Sequence, residues 1–126
     1  MLSPAEEVHD RLIDYFDALY HGDVPLFTKL FHPKACLFSP TGGELLVLDV
    51  PSYLDIVAGR QAPAARGDRR DDRILSIDIP TSTTAHARVQ ELFLPKRFTD
   101  ELTFIRVQDE WKIISKVWHF EIEPVD

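Results

Sequence analysis

The sequence predicts an α+β domain in which three N-terminal helices pack on a curved, mostly antiparallel sheet of about six strands. Three observations carry that expectation. Apolar residues recur at helical spacing only in the first half of the chain. From Arg73 onward the segments alternate or are rich in β-branched and aromatic residues. The connections among those segments are short, which favours antiparallel neighbours.

In "SPAEEVHD", Ser3 can cap a helix, Pro4 takes the first helical position, and Glu6 falls where a capping box closes. Val8, Leu12, Tyr15 and Leu19 then form an apolar stripe, widened by Ile13, Phe16 and Tyr20. Gly22 stops this helix, since it adopts a positive φ without strain. Asp23 caps a short second helix, "VPLFTKLF", which Pro33 closes. "ACLFS" reads as a brief strand, "PTGGE" as a turn and "LLVLD" as the returning strand. Asp49 caps a third helix, "VPSYLDIVAG", ended by Gly59. "RQAPAARGDRRDD" is expected to be turn or loop and the most disordered part. "RILSIDI", "TAHARVQELFLP", "DELTFIRVQ" and "WKIISKVWHFEI" complete the sheet through the turns "PTS", "KRFTD" and "DE". Strict alternation in the last strand puts Lys112, Ile114, Lys116, Trp118 and Phe120 on one face. Trp111, Ile113, Ser115, Val117 and His119 then share the other. Bulky apolar groups fall on both. With helices on one face, the other is expected to form a homodimer.

The chain of 126 residues suits one domain, 1–126. Acidic residues number 21 against 14 basic ones, a formal net charge of -7 that repels phosphate backbones. The basic cluster of Arg66, Arg69, Arg70 and Arg73 is interleaved with Asp68, Asp71 and Asp72, so nucleic-acid binding is not expected. The sole cysteine, Cys36, reads as a buried thiol and excludes a disulfide framework; a cytoplasmic location follows as the expectation. The start lacks the pattern of a signal peptide, and no apolar stretch approaches membrane-spanning length, so no membrane partner is expected. His9, His21, His32, His86 and His119 form no HxH or HExxH arrangement, and neither a metal nor a cofactor is expected. "GxSxG" and phosphate-loop frames are absent.

A helix laid across a curved sheet leaves a gap at one end. Aromatic groups with polar tips suit such a gap. Tyr15, Tyr20, Tyr53 and Trp118 are candidates for its lining, with Phe38, Phe93 and Phe104 as apolar wall. Each has a blander reading as core or interface packing. Glu91 shares a strand face with Ala87, Val89 and Phe93, which makes it a candidate inward carboxylate whose pKa burial would raise. Lys116 can meet an anionic ligand, pair with Glu91, or extend outward.

The segment "YFDALYHGDVPLFTKLFHPKACLFSP" resembles the start of the nuclear transport factor 2 (NTF2)-like superfamily. The closing "FTDELTFIRVQDEWKIISKVWHFE" is similar to the branch labelled putative lumazine-binding. The resemblance implies a cone-shaped barrel with three N-terminal helices, a cavity between helices and sheet, and a dimer through the outer sheet face. Ketosteroid isomerases of that superfamily use a helix tyrosine, an aspartate base and a second acid. Tyr15 lies at the tyrosine position. The base position falls at Ser39, which cannot accept a proton as a carboxylate does. The second acid falls near Leu102, with Asp100 and Glu101 close by. Three functions stay open: binding of a small, mostly apolar organic molecule; a lyase or isomerase with Glu91 as base and Tyr15 as hydrogen-bond donor; and a protein-interaction domain with a closed interior.

Overall fold

Helix ends set the first half of the fold. The computed structural model describes residues 1–124. In α1 (Pro4–His21) the Glu6 amide donates to Ser3 Oγ and the Ser3 amide to the Glu6 carboxylate, while Gly22 leaves the helix at φ 63. A cap of this kind contributes about 0.5–2 kcal/mol. Asp23 caps α2 (Val24–Leu30) through the Leu26 amide, and Asp49 caps α3 (Val50–Gly59) through the Ser52 amide.

The described residues form six strands, the first two lying between α2 and α3: β1 (Phe31–Ser39), β2 (Leu46–Asp49), β3 (Arg73–Asp78), β4 (Thr84–Phe93), β5 (Lys96–Val107) and β6 (Glu110–Ile122). They form one sheet in the order β2-β1-β6-β5-β4-β3. The β1–β6 pairing is parallel and the other four are antiparallel. The sheet is open, with β2 and β3 as its edges, so the implied barrel does not close. The apolar stripe of α1, with Phe27 and Leu30 of α2, packs on Val89, Leu102, Phe104, Trp111 and Ile113 of the inner face. Each such side chain stabilises the fold by about 1.5–3 kcal/mol.

Four details differ from the sequence expectation. Phe31 opens β1 instead of ending α2, and the register against β6 shifts between Phe31 and Cys36, where Pro33 interrupts the strand. Cys36 is exposed, because Ala35 and Leu37 take the inward positions on either side of it. The segment after α3 is held by contacts: it carries a 3-10 turn, Pro63–Arg66, Tyr20 donates to the Asp68 carbonyl at 2.6 Å, and Arg70 pairs with Asp17 at 2.6 Å. "KRFTD" is not a turn but the start of β5. The chain reverses one step earlier, at Leu94 and Pro95, which join across a cis bond.

The fifth difference matters most for the site. Thr103 pairs with Ser115 and Phe104 with Ile113, which leaves Ile114 as an extra residue in β6. This bulge reverses the alternation. Trp111, Ile113, Lys116, Trp118 and Phe120 therefore all belong to the inner face, while Ser115, Val117 and His119 face outward.

Candidate functional site

Beyond the bulge the inner face parts from the helices. Tyr53 and Ile56 of α3, Leu46 and Leu48 of β2, and Phe93, Phe98, Trp118 and Phe120 of the sheet surround a cavity of about 350 Å³. That volume is at the small end of organic-ligand pockets. Glu44, Arg60 and Lys96 border it, and Glu91 and Lys116 reach it from the strands.

Lys116 is 4% exposed. Its Nζ donates to the Tyr53 hydroxyl at 3.2 Å and lies 3.9 Å from Asp100 Oδ2, too far for a hydrogen bond. The rings of Tyr15, Tyr53 and Trp118 surround it at 5.3, 4.8 and 5.2 Å. Burial pushes its pKa down, but the Asp100 carboxylate, with Tyr53 and Glu91, outweighs burial and holds it above the ordinary value. The ammonium is thus charged and has N–H groups to spare, since it carries three donors.

Asp100 is wholly buried opposite Trp118, and its Oδ2 accepts from the Tyr15 hydroxyl at 2.5 Å. Its Oδ1 lacks a partner among the described residues, as does Oε2 of the buried Glu91. Burial, then the Asp100 charge and a hydrogen bond to it, push Glu91 well above the usual carboxylate range. A proton on Glu91 spares the site a second buried negative charge beside Asp100, as expected when two acids occupy one site. Tyr15 is also raised well above its ordinary value, first by burial and then by Asp100, so its hydroxyl stays a donor.

Of the residues singled out from sequence, Tyr53, Glu91, Phe93, Lys116 and Trp118 border the cavity. Four do not. Tyr20 donates to the Asp68 carbonyl instead. Tyr15 is 0% exposed and sealed behind the floor, because the helix stripe that buries Leu12 buries it too. Phe104 lies in the core, also without exposure. Phe38 faces outward beside Val47 and Val117, since Leu37 and Ser39 take the inward positions. The paired candidates Tyr15 and Glu91 therefore do not face one space, and Lys116 meets Asp100 and Tyr53 more directly than Glu91. The sequence places Asp100 only beside the second acid position and not among the cavity residues, because "KRFTD" resembles a turn. Pro95 was the available signal, for a proline ends a strand and would have released Phe98 and Asp100 as inward positions. Ser39, at the expected base position, borders the cavity and spends its hydroxyl on the Trp118 carbonyl at 2.9 Å. Among the described residues no helix is long and apolar enough to cross a membrane.

The protein family described as "Putative lumazine-binding" matches residues 3–119. No curated protein matches the chain. Three solved structures are similar along nearly its whole length. An NTF2-like protein of unknown function from Shewanella baltica OS155 is 22% identical, with a TM-score of 0.82 over 99% of this chain and 100% of that one. One from Methylobacillus flagellatus KT, also of unknown function, is 25% identical, with a TM-score of 0.79 and 95% of each chain covered. The CaMKII hub of S. rosetta is 14% identical, with a TM-score of 0.73 over 96% of this chain and 99% of that one.

Proposed function

The chain belongs to the putative lumazine-binding family of the NTF2-like superfamily, and from that premise we propose a single domain, 1–126, that binds a small, mostly apolar organic molecule. The observation that supports this is a buried, charged Lys116 at the floor of an aromatic cavity, with one hydrogen bond made and N–H groups unspent. Protein interiors rarely leave such donors idle. A ligand oxygen there completes the ammonium, and the aromatic walls take the remainder of the molecule. A thermal-shift screen with bicyclic aromatic compounds tests the reading. Saturating ligand should raise the melting temperature, and a panel without any shift counts against it.

Glu91 favours one alternative, a lyase or isomerase. Its carboxyl borders the cavity and keeps its proton, which suits a general acid better than the base expected from sequence. Turnover lost in Glu91→Gln with ligand binding retained would support that reading. The cavity itself weighs against the closed interior of a pure interaction domain.

A homodimer through the outer sheet face is part of the same proposal. Phe38 lies in register between Val47 and Val117, and these two are 56% and 37% exposed. The exposed, unpaired Cys36 fits the cytoplasmic expectation.

A further inference from the structure

We infer that the cavity selects a flat aromatic acid, whose carboxylate seats on Lys116 while its rings lie among Trp118, Phe98 and Phe120. This rests on the ligand-binding reading above and deepens it. Among the described residues, Lys116 Nζ makes one hydrogen bond, to Tyr53, and has no other acceptor within hydrogen-bond distance. A carboxylate fills the idle N–H groups and adds ion-pair attraction to hydrogen bonds that a neutral amide oxygen would accept without it.

The mouth agrees in sign. The Arg60 guanidinium stands 4.5 Å over the Phe93 ring and Lys96 Nζ 4.2 Å over the Phe120 ring, while Glu44 and the buried Glu91 are the carboxyls that line the same cavity among the described residues. Both cations are held on the aromatic walls and face an arriving anion. A ligand ammonium would meet Arg60, Lys96 and Lys116 in turn. A polyol would set its hydroxyls against the aromatic walls, and Ser39 is already engaged by the Trp118 carbonyl. Asp100 sits close to Lys116 and tempers its field, so the preference for an anion is moderate.

Calorimetric titration of the full chain at pH 7.5 with 2-naphthoic acid, 2-naphthamide and 2-naphthylmethylamine tests the inference. The acid should bind about tenfold more tightly than the amide, since only the acid forms an ion pair with Lys116, and the amine most weakly. Arg60→Gln with Lys96→Gln, both at the cavity mouth, should narrow the acid-to-amide ratio about threefold. Lys116→Met combined with Asp100→Asn removes both buried charges together and should abolish the preference. If that pair does not fold, the rim variant decides. Equal affinity for acid and amide, tightest binding of the amine, or an unchanged ratio in the rim variant overturns the inference and leaves the binding cavity standing. No binding of any of the three overturns both.

Discussion

At the scale of single residues the site is governed by one proton. Glu91 keeps it in the folded protein, whereas in the unfolded chain a glutamate releases it near its ordinary value of 4.5. Above that pH the unfolded chain holds fewer protons than the folded one, so stability falls as pH rises, until folded Glu91 ionises as well. The slope is at most about 1.4 kcal/mol per pH unit. Glu91→Gln has no proton to lose and should flatten this decline. Urea unfolding of both proteins at mildly acid, neutral and mildly alkaline pH measures the difference, and parallel profiles would contradict the assignment. Tyr15 makes a second case. Its hydroxyl donates to Asp100 Oδ2 at 2.5 Å, so Tyr15→Phe should cost about 1–3 kcal/mol of stability. Affinity for a cavity ligand should not change, because Tyr15 does not border the cavity. A large loss of affinity with unchanged stability would reverse the two roles.

At the scale of elements, the turn between β5 and β6 offers a direct test. Gln108 and Asp109 both have positive φ, at 52 and 64 degrees. L residues tolerate that poorly, and an Asn-Gly pair matches it. Gln108→Asn with Asp109→Gly should therefore stabilise the protein by about 1 kcal/mol, read as a higher melting temperature. A lower one would show that these side chains hold the turn by other means. The helices were legible in the sequence because their signals are local: Ser3, Asp23 and Asp49 cap from one side, and Gly22 stops from the other. Most strands were legible for the same reason. The bulge at Ile114 was not, because it depends on the partner strand and leaves no residue signature of its own. That one residue reversed the faces assigned to Trp111 and Ile113, which belong to the inner face together with Trp118 and Phe120. The start of β5 was hidden by turn-like composition, and with it Asp100.

At the scale of the whole molecule, association is the first test. Val117→Lys places a charge in the outer patch beside Phe38, where it should convert a dimer to monomer by sedimentation at micromolar concentration. A wild-type monomer under the same conditions would remove the proposed interface. Ligand binding is likewise a global quantity, and a compound at a hundred times its dissociation constant adds about 2.7 kcal/mol to folding. The bulge in β6 also divides responsibility along a single strand. Before it, Trp111 and Ile113 press against helices, where a methylene gained or lost is felt throughout the packing. After it, Trp118 and Phe120 border empty space, so a change of size there reshapes the hollow with little disturbance elsewhere. A lineage of such chains can retune what it accepts by editing the distal half of one strand while the proximal half keeps the protein intact.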